Sequence, residues 1–271
     1  NASGEVLVVL NPDTTVERNW LAELVAALEG TPSAGLATSK ILTMGDPNRI
    51  NACGNQITYC GITICRGLGQ TADQYTRQEN VSAVSGAAFA IKRSVLEQIG
   101  PLDKSFFIYY EDTDLSLRAA LAGYDCIFVP TSIVYHDYAL RLSAWKFFLE
   151  ERNRLVSWLK TFRWGTLVAL LPTLLLAEIL AWGYALLHGA DHLRSKARSY
   201  LWIAKHRQKI IRARRSTQTL RRVADREIVR MLSHRLTLTQ TANRYLVAAV
   251  ELLVQPLLFV WGAICRLVVV W

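Results

Sequence analysis

The chain has 271 residues, of which 51% are hydrophobic, and it carries five cysteines and a formal net charge of +9. This length leaves room for one sizeable domain with an appendage rather than for two full domains. The odd cysteine count and the lack of C-x-x-C spacing argue against structural zinc and a disulfide framework, and favour reduced core thiols facing a cytosol.

Charge divides the chain into two unlike parts. Residues 1–155 contain 13 Lys/Arg and 17 Asp/Glu, whereas residues 156–271 contain 18 Lys/Arg and only 5 Asp/Glu. We therefore expect a mildly acidic globular domain over 1–155, followed by a basic, apolar and helical region over 156–271 that has different partners.

The first candidate site follows an apolar run, Glu5–Leu10, which predicts a buried strand. Asn11-Pro12-Asp13 comes next, and Thr14 with Glu17 has the spacing of a capping box, which predicts a helix there. Asp13 would thus lie at the carboxyl end of a strand, where open α/β sheets bind ligands. Its carboxylate suits Mg²⁺ or Mn²⁺ bridging a diphosphate, and the alternative is an ordinary turn.

A second candidate site follows an aromatic run, Phe106–Tyr110. Glu111-Asp112-Thr113-Asp114 then opens a helix that is predicted to extend through Leu121. A carboxylate at a helix start can act as a general base, whereas the simpler interpretation of Asp112 is an N-cap. His136 ends a short predicted strand and is either structural or a ligand.

Together these features resemble a known family. Residues 85–136 contain G-x-x-F-x-I-x-R, I-G-x-x-D-x-x-F-F-x-Y-x-E-D-x-D-L-x-x-R, G-Y and a terminal V-x-H, in that order. This series strongly resembles the second half of family 2 glycosyltransferases, rhamnosyltransferase-like members included. Leu10–Thr14 (LNPDT) resembles the metal-binding D-x-D of the family with Asn in the first acidic position. The resemblance covers about residues 1–155.

The resemblance implies a GT-A-type α/β fold, in which a mixed sheet is flanked by helices. It implies that Asp13 holds a divalent metal, Mg²⁺ or Mn²⁺, on the donor diphosphate, with His136 as a second ligand and Asn11 as a neutral acceptor. Asp112 matches the catalytic base and Glu111 supports it. Arg118 lies four residues after Asp114 and is predicted to pair with it. Most of the first βαβα half of the family fold has no match, so we expect an N-terminally truncated domain.

The basic region predicts membrane association. Gly165–Gly189 is long enough to span a bilayer, but Pro172 and Glu178 favour an interfacial or re-entrant element. Residues 191–244 contain 15 Lys/Arg and 3 Asp/Glu, a composition that suits anionic headgroups, whereas the apolar flanks argue against nucleic acid. Leu246–Trp271 is the better candidate for a span, with a buried core helix as the alternative.

The sequence thus predicts a metal-dependent inverting glycosyltransferase at the cytoplasmic face of the cell membrane. It would move a sugar from a nucleotide-diphosphate sugar to a lipid-linked or cell-surface polysaccharide acceptor. Two alternatives stay open. One is an inactive scaffold that lacks the donor pocket, and the other is a glycoside hydrolase that uses two carboxylates and needs no metal.

Overall fold

The computed structural model describes residues 3–138, 142–237, 247–248 and 250–271. The chain divides into two compact units. The sheet unit comprises the described residues within Asn1–Gln56, Cys65–Asp103 and Asp112–Ala139, and the helical unit comprises those within Ile57–Ile64, Lys104–Glu111 and Leu140–Trp271. The predicted domain boundary at residue 155 stays a prediction.

A mixed seven-stranded sheet forms the centre of the sheet unit. Its strands are β1 Val6–Leu10, β2 Thr14–Val16, β3 Ala34–Thr43, β4 Asp46–Cys53, β7 Glu79–Val81, β8 Ala88–Lys92 and β9 Asp125–His136. They lie in the order β1-β8-β3-β9-β2, with β4 beside β3 and β7 beside β9, and of these pairs only β3 and β9 run parallel among the described residues. A separate two-stranded ribbon pairs β5 Asn55–Ile57 with β6 Thr63–Cys65.

Three helices accompany the sheet: α1 Trp20–Gly30, α2 Arg93–Ile99 and α3 Glu111–Leu121. Trp20, Leu24 and Leu28 of α1 are buried because their spacing puts them on one face, and they pack into the core beside the apolar residues of β3, β8 and β9. The predicted α/β class, a mixed sheet flanked by helices, is confirmed. Asp114 and Arg118 of α3 form the predicted ion pair at 2.9 Å, and both side chains are buried.

Helices make up most of the helical unit. They are α4 Ala144–Thr161, α5 Trp164–Ala169, α6 Leu171–His188, α7 Ala190–Lys205, α8 Arg207–Thr219, α9 Asp225–Met231 and α10 Gln255–Val268, the last preceded by a π-helical turn, Val250–Val254. Two of these stretches, Leu171–His188 and Val250–Val268, are long and apolar enough to cross a membrane by length and composition alone. The predicted segments 191–244 and Leu246–Trp271 lie partly outside the described residues.

A buried ion network joins three helices of this unit. Arg154 of α4 donates to Glu151 at 2.8 Å and to Glu178 of α6 at 2.6 Å, and Lys196 of α7 lies 2.7 Å from Glu178 and also contacts Glu151. The Tyr200 hydroxyl donates to Glu178 as well. Burial opposes ionisation of Glu151, but the positive charges of Arg154 and Lys196 outweigh it and hold the pKa of this carboxyl below its usual value.

The structure corrects one local prediction next to Asp13. Thr14–Val16 is a strand that pairs antiparallel with the end of β9, and no helix begins until Trp20. The Thr14 hydroxyl donates to the Asn11 carbonyl at 2.6 Å rather than capping a helix. The backbone of Thr14–Val16 forms its hydrogen bonds with β9, and this tertiary pairing overrides the local preference for a helix start that the Thr14–Glu17 spacing indicates.

The buried Asp114–Arg118 pair yields a stability prediction. Arg118 also donates to the carbonyls of Ile99, Gly100 and Pro101, so Arg118→Leu removes donors from a buried carboxylate and from three backbone acceptors. We expect this substitution to lower the free energy of unfolding by about 3–5 kcal/mol in urea titrations followed by circular dichroism. Glu97→Ala, which removes an exposed ion pair from α2, should change it by less than about 0.5 kcal/mol. Equal effects of the two variants would contradict the assignment of Arg118.

Candidate functional site

The pairing of β2 with β9 brings Asp13 and His136 together. Thr14 lies opposite His136 in the ladder, and the N–H of Asp137 donates to the Asp13 carbonyl at 3.0 Å. The His136 Nε2 lies 3.3 Å from Asp13 Oδ1. His136 is buried, whereas about half of the Asp13 side chain is exposed, so the carboxylate can reach a ligand from solvent.

A buried amide orients the imidazole of His136. Its Nδ1 lies 3.0 Å from Oδ1 of Asn51, a β4 residue that is itself buried. We assign the proton to Nδ1, because an amide oxygen accepts, and this leaves a lone pair on Nε2 facing the Asp13 carboxylate. Burial lowers the pKa of His136, against the opposing effect of Asp13, and so favours the neutral imidazole.

This geometry fits a divalent cation. Two electron-pair donors, Nε2 of His136 and Oδ1 of Asp13, face each other, and a cation between them would satisfy both. The hydrogen bond from the other ring nitrogen is the support that metal-binding histidines usually have. Within the described residues no group of three or more His, Cys, Asp or Glu side chains is placed to hold a metal. The pair suits a divalent ion that takes its remaining ligands from water and substrate phosphates.

Asp112 lies in the first turn of α3 with both carboxylate oxygens hydrogen-bonded. Oδ2 accepts from the Gly86 N–H at 2.8 Å and from Nδ2 of Asn55 at 3.2 Å, and Oδ1 accepts from the Thr113 N–H at 2.6 Å. Burial raises the pKa of Asp112, while the Gly86 and Thr113 donors act in the opposite direction. A carboxylate fixed by such donors and with a raised pKa has the properties of a general base.

Gly86 and Ala87 connect this carboxylate to the Asn11 turn. Gly86 donates to Asp112, and the carbonyl of the next residue, Ala87, accepts from the Asn11 N–H at 2.9 Å. A Cβ atom at position 86 would lie 3.2 Å from Asp112 Oδ2, so a larger residue would crowd the Asp112 carboxylate. Asn11 is thus held by its backbone at the end of β1, near the segment that carries the Gly86 donor.

A strained aromatic loop precedes Glu111 and Asp112. Phe107, Tyr109 and Tyr110 have φ values of 65°, 65° and 70°, a left-handed conformation that costs a non-glycine residue of the order of 1–3 kcal/mol. The fully buried amide of Asn153 in α4 donates to the carbonyls of Phe106, Ile108 and Tyr109 at 3.2, 3.1 and 2.7 Å. These bonds stabilise the loop, and the chain continues directly into Glu111 and α3.

Two constellations therefore emerge among the predicted site residues. Asp13 lies beside His136, and Asn11 connects to Asp112 through the Gly86–Ala87 backbone. Glu111 begins α3, next to the proposed base. Sequence reasoning missed the three amides that orient these groups, Asn51, Asn55 and Asn153, because their partners are distant in the chain. Gly86 did carry a signal as a glycine inside an apolar run.

Comparison with known families gives the class of protein that this fold and site define. A family model described as "Glycosyl transferase family group 2" matches residues 6–270, which is nearly the whole chain. The chain belongs to this family. The resemblance read from the sequence is therefore confirmed, and with it the GT-A-type fold class.

Individual relatives match parts of the chain. The probable glycosyltransferase YdaM of Bacillus subtilis is 28% identical over 155 residues, which are 56% of this chain and 34% of that protein. The N-acetylglucosaminyl-diphospho-decaprenol L-rhamnosyltransferase of Mycobacterium tuberculosis is 37% identical over 59 residues, 22% of this chain and 19% of that protein. The matches thus span about a third or less of these relatives.

Among solved structures, GalNAc-T7 with UDP, GalNAc and Mn²⁺ is similar at a TM-score of 0.45 and 22% identity. The similarity covers 57% of this chain and 31% of that protein.

The loop gives a second prediction. Asn153→Ala leaves the carbonyls of Phe106, Ile108 and Tyr109 without this donor, and we expect the free energy of unfolding to fall by about 1–3 kcal/mol. In hydrogen-exchange mass spectrometry, residues 104–110 should lose more protection than the rest of the helical unit. Gln208→Ala, on the exposed surface of α8, is the control. Unchanged exchange in 104–110 would contradict the role of Asn153.

Proposed function

We propose that the protein is a metal-dependent, inverting glycosyltransferase that uses a nucleotide-diphosphate sugar as donor. The observation that carries the proposal is the Asp112 carboxylate, which accepts hydrogen bonds from Gly86 and Asn55 and has a raised pKa. Family membership supports sugar transfer, and the position of Asp112 in the E-D-x-D-L-x-x-R block supports its role as the base.

In the proposed reaction, Asp112 accepts the proton of an acceptor hydroxyl. The hydroxyl oxygen forms a bond to the anomeric carbon of the donor sugar while the bond from that carbon to the diphosphate oxygen breaks. The nucleoside diphosphate leaves with the electron pair, and one displacement inverts the anomeric configuration. The donors to Asp112 keep its oxygens oriented, and Glu111 at the start of α3 supports this position.

We assign the metal site to Asp13 and His136, with Asn11 in the same turn as a neutral contact for the donor. A divalent cation bound there would act as a Lewis acid on the leaving diphosphate. The facing lone pairs of His136 Nε2 and Asp13 Oδ1 support this assignment, as does the Asn51 contact that fixes the ring. Of the two ions, Mn²⁺ suits an Asp–His pair better, because Mg²⁺ prefers oxygen ligands.

We further propose a lipid-linked or cell-surface polysaccharide acceptor and a position at the cytoplasmic face of the cell membrane. The mycobacterial relative is named for a decaprenyl-diphosphate substrate. Leu171–His188 and Val250–Val268 are long and apolar enough to enter a bilayer, and residues 156–271 contain 18 Lys/Arg against 5 Asp/Glu. Basic residues beside apolar helices favour anionic membrane surfaces.

The base assignment yields a prediction that includes pH. Asp112→Asn in the full-length protein should lower kcat about 10²–10⁴-fold, since the amide cannot accept the proton, while the KM for the donor changes little. In the unmodified protein, kcat/KM should fall as pH drops through the pKa of Asp112, and this limb should lie above the ordinary aspartate value of about 3.9. Rates of transfer from a panel of nucleotide sugars measure both effects.

Asp73→Asn removes an exposed carboxylate and serves as the matched control for this prediction. Near-normal transfer by Asp112→Asn, or an unchanged acidic limb in that variant, would overturn the assignment.

The metal assignment yields another prediction. EDTA should abolish transfer, and Asp13→Asn should raise the Mn²⁺ concentration needed for half-maximal activity by at least about ten-fold. Asn51→Ala should raise it by about 10–100-fold, because the imidazole loses its orienting partner. Titration of bound Mn²⁺ by electron paramagnetic resonance gives a readout that needs no turnover. His188→Gln, at an exposed histidine, is the control. Transfer that survives EDTA would overturn the metal assignment.

A further inference from the structure

An open groove of about 620 Å³ lies in the helical unit, between the first turns of α4 and one face of α7. Most of its lining residues are basic or aromatic. The basic and aromatic ones are Trp145, Phe148, Arg194, Arg198, Trp202 and Lys205.

One side of the groove is a regular stripe along α7. Asp191, Arg194, Arg198, Leu201 and Lys205 follow one another at intervals of three and four residues, which places them on a single helix face. At 1.5 Å per residue the stripe is about 21 Å long. All five side chains are exposed, so this face of α7 is open to a ligand over its whole length.

The groove is cationic. Arg194, Arg198 and Lys205 face it, and among the residues that the structure describes Asp191 is the one acidic residue of the lining. Asp191 pairs with Arg194 at 2.9 Å. Arg194 and Arg198 are four residues apart, so their Cβ atoms are about 5–6 Å apart and the two guanidinium groups can contact neighbouring phosphoryl groups. The helix that begins at Ala144 adds the positive end of its dipole.

Aromatic side chains provide an apolar surface beside these cations. Trp145 is 52% exposed and Leu201 is 68% exposed, while Phe148 and Trp202 are half-buried. The guanidinium of Arg152 stacks against Trp202 and Phe148 at 4.6 and 5.3 Å from the ring centroids and so fixes both rings. The groove therefore offers hydrocarbon contact and anion contact along the same path.

The groove also connects to the strained loop. Trp145 packs edge-to-face on Phe107 at 6.0 Å between ring centroids, and Phe107 is 77% exposed. Lys146, next to Trp145, lies over the Tyr109 ring at 5.6 Å. Phe107 and Tyr109 precede Asp112 by five and three residues. A ligand in the groove thus lies against Trp145, which packs on Phe107 of that loop.

We propose that this groove binds the diphosphate and the adjoining isoprenoid units of a lipid-linked acceptor. Arg194 and Arg198, which are one helical turn apart, bind the diphosphate, and the isoprenoid chain lies on Trp145, Phe148, Leu201 and Trp202. The inference rests on the proposed function for its acceptor class. Charge complementarity identifies the anionic end of the ligand, and the adjoining aromatic surface distinguishes an isoprenoid diphosphate from a soluble phosphate.

Farnesyl diphosphate is the probe for a direct binding experiment on the full-length protein. Tryptophan fluorescence and calorimetry measure the binding. We expect saturable binding, and at least ten-fold weaker binding of farnesol and of inorganic diphosphate, each of which carries half of the recognised chemistry. Arg194→Gln with Arg198→Gln should weaken farnesyl diphosphate binding by at least ten-fold. Leu201→Gln should weaken the binding of farnesyl diphosphate but not the binding of inorganic diphosphate.

The matched control is Arg212→Gln with Arg215→Gln, which removes the same charge from exposed positions of α8 outside the groove. It should change binding less than two-fold. Equal losses in both double variants would assign the effect to general attraction of anions or membrane lipids and overturn the proposal, as would the absence of saturable binding. Because this assay needs no turnover, it separates the two proposals. If the groove binds farnesyl diphosphate but transfer does not depend on Asp112, only the proposed base is rejected. If transfer depends on Asp112 but the groove does not bind, only the groove is rejected.

Discussion

The parallel ladder between β3 and β9 fixes the position of the candidate metal pair. It runs from Ala34 opposite Asp125 to Thr43 opposite His136, and all of β3 except its last residue is buried. The ladder ends at His136, and β2 pairs antiparallel with that same end of β9, so the position of Asp13 follows from the register of two ladders. A slip of one residue in either ladder would turn these side chains to the opposite face.

The second constellation depends on a different kind of constraint. Helix α3 positions Asp112, and the buried Arg118 fixes the last turn of this helix by donating to the Ile99 carbonyl. In the first turn, the Asp112 carboxylate accepts from the Gly86 N–H. The Gly86–Ala87 segment therefore forms hydrogen bonds both to Asp112 and to Asn11. A short, glycine-containing segment therefore fixes the position of the turn after β1 relative to the Asp112 carboxylate.

Much of this arrangement could be predicted from local sequence, because local patterns determine it. The presence of a strand before Asn11, helix α3 and the Asp114–Arg118 pair all follow from residues within a few positions of one another. The predicted burial of that strand is wrong, because β1 lies at the edge of the sheet, pairs antiparallel with β8 and is partly exposed. The short strand at Thr14 could not be predicted, since the pairing that creates it comes from β9, more than a hundred residues later. The orienting roles of Asn51 and Asn153 could not be predicted either, because an isolated Asn belongs to no periodic pattern that would indicate its distant partner.

Glu178, a carboxylate inside an apolar helix, has a consequence for the synthesis of the protein. Pro172 lies at the start of α6 rather than breaking it, and the carboxylate that interrupts the apolar pattern is neutralised by Arg154 and Lys196. Arg154 leaves the ribosome before α6, but Lys196 emerges eighteen residues after Glu178. While α6 is newly made, its carboxylate therefore lacks one of its two cations, and transfer of this helix alone into hydrocarbon is costly. The order of biogenesis that this favours is assembly of α4, α6 and α7 first, with any contact with lipid made by the finished bundle.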